Sequence, residues 1–438
     1  MTSSATGSRW TLRRLFVLAG VGLVALGFAN VVIKGWDSAT THQAYDFEIN
    51  WVAAHRLLDG EPLYDRDATR EDAVELVGES HADLYETTFG SYIGPPSTAL
   101  LYVPFTAFGV SAAVDTFRVL AVLAVAAAIF VMVSLLPRRS RAPAALVSIG
   151  VMLLAGPFNW SIELGQVDAW IILGLAVGIW GLFRDHDAVA GVGFGVATAL
   201  KLSPVLVLVY LLLRGRWRPV AVAAATGIGL LGVAAAIGRP DDVWVWLRDV
   251  TGDVAQGSIQ VDNQSLPAWI ARLLTDRVDL VSEFPLGSWR LTGWVIVAVA
   301  VPLLWWFCRG RPLDVLEIGI VVAIAVLAAP LSWDFYAMWV LVLLVPMVDV
   351  ERWEGRSARE VVALAGTLGL GLVLMVPRLL SPTAKEVADE PLQRFLSGPR
   401  TGALVLWTGV ACWLLFRARP ARDQESIDPM VLSEVSRG

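Results

Sequence analysis

The chain has 438 residues, of which 56% are hydrophobic and only 17% are charged, and its mean hydropathy is +0.62. Because soluble globular domains carry about 25% charged residues, this composition excludes an ordinary soluble protein. Repeated apolar stretches of about 20 residues indicate a chain that crosses a membrane many times. The formal net charge of −6 gives no reason to expect a nucleic-acid partner.

The first apolar run, "LFVLAGVGLVALGFANVVI", follows the arginines Arg9, Arg13 and Arg14. It is too long for the core of a signal peptide, and no A-x-A-like cleavage site follows it. We therefore expect an uncleaved first span at 12–33. Since lysine and arginine concentrate in cytoplasmic loops, this span runs from the inside to the outside.

The same rule orients the later apolar segments, because the inward ends carry arginine-rich loops such as "PRRSRAP", "RGRWR" and "CRGR". The predicted later spans are 113–136, 143–160, 167–184, 188–214, 219–238, 289–307, 314–332, 336–349, 360–379 and 401–416. Within 188–214 we expect two short helices broken at "KLSP", and 96–110 is predicted to be interfacial or re-entrant.

The sequence thus predicts an all-α polytopic membrane protein with about 11–13 transmembrane or re-entrant helices. We expect a single membrane domain over 1–419, with long outer segments at 34–111 and 239–288. Residues 420–438 are polar, and we predict that they form a disordered cytoplasmic tail.

Ionisable and amide side chains at membrane depth are candidate functional residues. Five clusters of them fall on the predicted outer side: Asp46 with Glu48, Gln166 with Asp168, Lys201, Asn263 with Gln264, and Asp334. Their convergence on one side, which the arginine pattern defines independently, predicts one extracytoplasmic site.

The stretch "AYDFEINW" places Asp46 and Glu48 just beyond the first span. A carboxylate among apolar and aromatic neighbours has a raised pKa and can act as a general base. On a helix these two side chains would face different ways, so we expect only one to be catalytic. Two alternatives remain open here: Asp46 caps a helix, or the Asp-x-Glu pair holds a divalent cation.

Lys201 interrupts the apolar stretch "GVATALKLSPVLVLVYLL", next to the helix-breaking Pro204. An unpaired lysine costs several kcal/mol in lipid. A cation on a broken helix near the membrane surface suits an anionic phosphate. The alternative is an internal ion pair, for instance with Asp168.

Three further clusters have polar or aromatic side chains that suit a sugar. Gln166 could orient a sugar or phosphate, or cap a turn. Asn263 and Gln264 precede the short amphipathic segment "PAWIARLL", which could line a substrate groove or form an ordinary outer loop. The junction "APLSWDFYAMWVL" contributes Trp333, Asp334 and Tyr336, whose aromatic members would also suit an interfacial belt.

The sequence contains no Walker loop, dinucleotide fingerprint or H-E-x-x-H motif. Cys308 and Cys412 lie in apolar context without metal-ligand spacing. We therefore predict no cofactor, and a divalent metal is not supported. The donor of any transferred group must therefore come from the membrane or from the extracytoplasmic compartment.

The motifs also occur in a recognisable order. After Asp46 come "GEPLYD", "GPPSTALLYVPF", "ELGQVDAWIILGLA", "ALKLSPVLVLVYLL", "DNQSLPAWIARLL" and "APLSWDFYAMWV". This series resembles glycosyltransferase family 87, the GT-C-type enzymes that include polyprenol-phosphate-mannose-dependent α-1,2-mannosyltransferases of mycobacterial lipoglycan assembly. The resemblance implies a GT-C fold in the cell membrane, a polyprenyl-phosphate sugar donor, a glycolipid or glycan acceptor, and Asp46 as the catalytic base.

Two positions depart from the mannosyltransferase pattern. Phe335 and Tyr336 stand where those enzymes carry His-His, and Gly94 precedes Pro95 and Pro96 where they carry Tyr-Pro-Pro. The side chains expected to contact substrate are Glu48, Pro95, Pro96, Gln166, Asp168, Lys201, Asn263, Gln264, Trp333, Asp334 and Tyr336.

We expect an inverting single displacement, in which Asp46 removes the acceptor proton, Lys201 neutralises the departing phosphate and mannose is transferred. Two alternative functions remain open at this point. One is an arabinofuranosyltransferase with a polyprenyl-phosphate-arabinose donor. The other is a transporter or flippase for a lipid-linked sugar. Broken helices and a membrane-embedded lysine would also be compatible with that function.

Overall fold

The computed structural model describes residues 4–38, 44–78, 91–275, 285–376 and 391–417. Within these ranges the regular structure is helical, and extended backbone pairs at an isolated antiparallel bridge between Asn263 and Trp333. This confirms the predicted all-α class. The predicted tail at 420–438 lies outside the described residues, as do 79–90 and 276–284 in the two predicted outer segments.

The α-helices, numbered α1 to α20 in chain order, are Ser4–Ser38, Tyr45–Asp59, Arg66–Leu76, Pro96–Tyr102, Val110–Ser134, Arg138–Leu154, Gly156–Leu164, Asp168–Phe183, Asp187–Leu200, Val205–Leu213, Trp217–Ile237, Pro240–Val245, Thr251–Val254, Leu266–Leu274, Arg290–Cys308, Val315–Ala328, Leu341–Met347, Ala358–Met375, Pro391–Leu396 and Pro399–Phe416. Short 3-10 segments lie at Val103–Ala107, Gly287–Trp289, Asp334–Val340 and Val350–Trp353, and a π-helical turn at Trp246–Val250.

Among the described residues, six helical segments are long and apolar enough to cross a membrane: Thr11–Ile33, Val110–Ser134, Trp217–Ile237, Gly287–Cys308, Ala358–Met375 and Pro399–Phe416. The pair α6 and α7 meets the same test together, with a bend of 64° between them. Shorter apolar helices occupy the remaining predicted spans at 168–183, 187–200, 315–328 and 334–347. The protein is therefore a multi-pass membrane protein.

The predicted break within 188–214 is confirmed, because α9 ends at Leu200 and α10 begins at Val205. Pro204 precedes the first residue of α10, where its missing N–H costs nothing. The backbone leaves the helical region at Lys201, which has an extended conformation. The chain therefore presents the Lys201 side chain from a gap between two helices and not from a continuous span.

The short helices form the centre of the molecule. Every side chain of α16 from Leu316 to Ala328 is buried. The helices α8 and α9 touch backbone to backbone, since a Cβ atom on Gly193 would lie only 2.5 Å from the amide nitrogen of Gly178. In contrast, α1, α11 and α18 expose most of their apolar residues, as expected of helices that face lipid.

Candidate active site

A cavity of about 410 Å³ opens beside the break between α9 and α10. Its polar end contains Asp46, Asn50, Gln166, Lys201 and Tyr336. Its apolar lining comes mainly from α10, α15 and α16 and includes Leu202, Val205, Leu206, Trp294, Val297, Ala325 and Ala328. Leu202, Val205 and Trp294 are also exposed on the surface of the protein. The cavity thus combines polar side chains with apolar ones, some of which are exposed at the surface.

Lys201 is held by an ion pair at the polar end. Its Nζ lies 3.3 Å and 3.2 Å from Oδ1 and Oδ2 of Asp168 and 3.8 Å from the ring centroid of Tyr336. Asp168 is fully buried and also accepts a hydrogen bond of 2.6 Å from Trp339 Nε1. The internal ion pair considered from the sequence is therefore present, yet Lys201 still faces the cavity.

Helix α4 fixes the chain just before Lys201. The Ser97 hydroxyl donates to the Ala199 carbonyl at 2.6 Å, and the Thr98 hydroxyl donates to the Leu200 carbonyl at 2.8 Å. The last carbonyls of a helix have no partner within the helix, so these two bonds satisfy the end of α9. The Pro-Pro segment places these two hydroxyls in the first turn of α4, because Pro95 is the N-cap residue and Pro96 is the first residue of the helix.

Asp46 lies in the first turn of α2, and Ala44 occupies the N-cap position. The predicted alternative in which Asp46 caps a helix is therefore not realised. Desolvation raises the pKa of Asp46 to about 6, although a hydrogen bond from Gln166 and the charge of Lys201 favour the carboxylate. A carboxylate with a pKa close to neutral is suited to accept a proton from a hydroxyl.

The turn between α7 and α8 packs directly against α2 and brings Gln166 to Asp46. Gly165 in this turn has a φ of 70°, and a Cβ atom there would lie 2.5 Å from the Cβ of Phe47. Tyr102 donates a hydrogen bond of 3.1 Å to the Gly165 carbonyl. Glycine is thus required at this turn for both its conformation and its close contact with α2.

Glu48 turns away from Asp46, as the spacing on a helix predicts. It is buried and lines neither of the two cavities described here. Its charge instead acts on Tyr45 and on Arg118 of α5. Among the described residues, no three His, Cys, Asp or Glu side chains are arranged to hold a metal ion.

The side chain of Asn263 forms hydrogen bonds with four backbone groups. Its Nδ2 donates to the carbonyls of Ser258 and Pro330 at 2.7 Å and 2.8 Å. Its Oδ1 accepts from the backbone amides of Ser265 and Ser332 at 3.1 Å and 2.9 Å. Asn263 is completely buried, so this amide positions the loop that carries the site and does not face a cavity.

Gln264 acts in the same way. Its Nε2 donates to the carbonyls of Val261 and Ser397 at 2.8 Å and 2.9 Å, and its Oε1 accepts from the Arg400 amide at 3.1 Å. The backbone amide of Gln264 bonds the Ser332 carbonyl at 2.7 Å. The "DNQS" loop therefore ties the Ser-Trp junction to the start of α20. The amphipathic helix α14 that follows also lies outside both cavity walls.

A second, smaller cavity of about 150 Å³ lies next to the first. Its walls are Asp46, Trp160, Asp262, Trp333, Asp334 and Phe335. Asp334 forms a salt bridge of 2.7 Å with Arg400 Nε. Asp46 and Trp333 line both cavities, so the two spaces meet at the candidate base.

Of the side chains predicted from sequence, the larger cavity brings together Asp46, Pro95, Gln166, Lys201, Trp333 and Tyr336. Asp168 supports Lys201 from behind, and Pro96 is buried next to Pro95. Sequence reasoning missed Trp160 and Asp262. Asp262 directly precedes the Asn-Gln pair and could have been included, whereas Trp160 is one of 19 tryptophans and had no distinguishing signal.

The spans and the cavity define a polytopic membrane protein with a cavity that is lined by both polar and apolar side chains. The family model of glycosyltransferase family 87 matches residues 92–331, which is more than half of the chain and includes most of the cavity wall. The chain therefore belongs to glycosyltransferase family 87 and is a membrane glycosyltransferase.

Two relatives extend this comparison. A polyprenol-phosphate-mannose-dependent alpha-(1-2)-phosphatidylinositol mannoside mannosyltransferase of Mycolicibacterium smegmatis is 25% identical over 425 residues, which cover 91% of this chain and 87% of that protein. A pentamannoside mannosyltransferase of the same type from Mycobacterium tuberculosis is 23% identical over 245 residues, covering 54% of this chain and 52% of that protein. The match to the second relative thus spans about half of its length. No solved structure matches the chain.

We expect Asn263→Ala to destabilise the protein by at least about 2 kcal/mol, because it leaves buried amides and carbonyls without partners. The melting temperature of the purified protein in detergent, followed by the loss of its monodisperse chromatography peak, measures this effect. Gln256→Ala is the control, since Gln256 is exposed. Equal melting temperatures for the two variants would contradict the structural role of Asn263.

Proposed function

We propose that the protein transfers a sugar, mannose by expectation, from a polyprenyl-phosphate donor to a hydroxyl of a glycolipid or glycan acceptor. The reaction takes place at the extracytoplasmic face of the cell membrane as an inverting single displacement. The observation that carries this proposal is that Asp46 and Lys201 line one cavity whose other lining residues are largely apolar and include side chains exposed at the protein surface. A site for a lipid phosphate needs both features.

The larger cavity has the cationic and apolar side chains that a polyprenyl-phosphate donor requires. Among the described residues its wall carries two cations, Lys201 and Arg290, the latter at the start of α15. Cations stabilise the charge that develops on a leaving phosphate. The polyprenyl chain would lie along the apolar side chains of α10 and α15. The names of both relatives state that those proteins depend on polyprenol-phosphate-mannose.

Asp46 performs the proton transfer. As the acceptor oxygen attacks the anomeric carbon, the bond from that carbon to the phosphate oxygen breaks, and polyprenyl phosphate departs. The proton of the acceptor hydroxyl moves to the Asp46 carboxylate, whose orientation is set by Gln166. One carboxylate is sufficient for an inverting displacement, since the leaving phosphate needs no proton. Lys201 donates a hydrogen bond to that phosphate, and Asp168 and Tyr336 hold the Lys201 side chain in place.

The arrangement of arginines supports an extracytoplasmic site. At the end of α10 far from the cavity, Arg214 donates to the carbonyls of Cys308 and Arg311 at 2.7 Å and 2.8 Å. This end carries "RGRWR" and "CRGR", which mark the cytoplasmic side. Because α10 and α15 contact the cavity at their first residues, the site lies at their opposite, outer ends.

We expect Asp46→Asn to lower kcat by about 100- to 10,000-fold, because general-base catalysis is lost. The assay measures transfer of labelled mannose from polyprenyl-phosphate mannose to phosphatidylinositol mannosides by purified protein in detergent, where no compartment exists. Glu48→Gln is the matched control and should retain most of the activity, since Glu48 lies outside the cavities.

Near-normal transfer by Asp46→Asn would remove Asp46 as the base. Absence of any transfer by the unaltered protein, with sugar movement only across sealed vesicles, would instead identify a transporter.

The rate should also depend on pH through Asp46. Its pKa is raised to about 6, so the carboxylate is protonated below that pH and cannot accept the acceptor proton. We therefore expect kcat/KM to fall about tenfold per pH unit below pH 6 and to be constant above pH 7. The measurement is transfer between pH 4.5 and 8 at constant ionic strength, with Glu48→Gln giving the same profile. A flat profile would contradict the assignment.

A further inference from the structure

The smaller cavity has the features of a carbohydrate site and shares Asp46 with the larger cavity. A base that removes the acceptor proton must contact the acceptor, while the donor occupies the space beside the phosphate-binding cation. Asp46 lines both cavities, and Lys201 lines only the larger one. We propose that the smaller cavity is the acceptor site and that it binds a single uncharged sugar unit. This inference rests on the proposed function.

The size and the aromatic walls of the cavity fit one sugar ring. Its volume of about 150 Å³ equals that of about five water molecules in the liquid, which is comparable to one sugar ring. Trp160, at 50% exposure, presents its indole to this space from α7. The bend of 64° between α6 and α7 turns that helix toward the site. The apolar face of a sugar ring can pack against such an indole.

The charge of the walls selects the kind of sugar. Asp46, Asp262 and Asp334 all line the cavity, and ionised carboxylates only accept hydrogen bonds. They therefore suit a ligand rich in hydroxyl groups. Arg400 pairs with Asp334 and Arg272 acts on Asp262, but none of the described lining residues is a cation. A phosphate or carboxylate on the reacting sugar unit would be repelled, so the acceptor presents an uncharged unit.

The two aspartates that flank the base differ in their own contacts. Asp334 is fixed by Arg400, whose backbone amide in turn donates to Gln264. Asp262 lines the cavity, and its charge acts on Asp334, on Arg400 and on the fully buried Arg272. Asp262→Asn keeps the shape of the side chain but removes that charge, whereas Trp160→Ala alters the same cavity without changing a charge.

Trp160→Ala and Asp262→Asn test the proposal in the same detergent assay. Each should raise KM for the acceptor by about tenfold, while KM for polyprenyl-phosphate mannose stays unchanged, because neither residue lines the donor cavity. Trp294→Ala, which alters only the larger cavity, should raise KM for the donor instead. Trp244→Ala is the neutral control, since Trp244 is 71% exposed and lies outside both cavities.

An alkyl mannoside and the corresponding mannuronide, compared as acceptors, test the charge selection. The uncharged mannoside should be used and the mannuronide should not. The proposal is overturned if both variants keep the normal acceptor KM, if they raise the donor KM equally, or if the mannuronide reacts as well as the mannoside. If the unaltered protein transfers no sugar to any acceptor, the proposed function itself fails, and this inference fails with it.

Discussion

The ion pair between Lys201 and Asp168 is the contact on which the site depends. At membrane depth an unpaired charge is costly, and here the ammonium and the carboxylate lie 3.2 Å apart with Trp339 donating to the same carboxylate. The pair joins the first residue of α8, the gap between α9 and α10, and the Asp334–Val340 segment. Removing either partner would leave a buried charge uncompensated, at a cost of about 3–5 kcal/mol. The ion pair thus joins these segments and holds Lys201 at the cavity.

Pairing also changes what Lys201 can do. Because Asp168 neutralises its charge, the role proposed for Lys201 is a directed hydrogen bond to a phosphate more than a net positive field. Arg290 supplies a second cation on the same cavity wall, at the first residue of α15. In the proposed mechanism both residues contact the phosphate. The proposed sites then meet at Asp46, with the donor in the cavity that contains Lys201 and the acceptor in the cavity that contains Trp160 and Asp262.

Much of this architecture could be predicted from sequence, because hydropathy and arginine position depend on the membrane more than on tertiary detail. The helix break at "KLSP" followed from Pro204 and from the isolated charge of Lys201. The convergence of Asp46, Gln166 and Lys201 was expected because all three are predicted on one side of the bilayer, and in the structure all three line one cavity.

The direction of individual polar side chains could not be predicted in this way. Asn263 and Gln264 occupy the outer junction as expected, yet they bond backbone groups that only the folded chain brings near them. The sequence pattern is the same for an amide that binds substrate and for one that braces a loop. Trp160 lines the smaller cavity from α7, which follows the bend after α6, and hydrophobic periodicity does not predict that bend.

The roles of Lys201 and Asp46 are tested most directly by an experimental structure of the protein with an unreactive polyprenyl-phosphonate analogue of the sugar donor. We expect the phosphonate within hydrogen-bonding distance of Lys201 Nζ, the lipid chain between α10 and α15, and the anomeric carbon facing the Asp46 carboxylate. A phosphonate bound away from Lys201, or an anomeric carbon that Asp46 cannot approach, would contradict these roles.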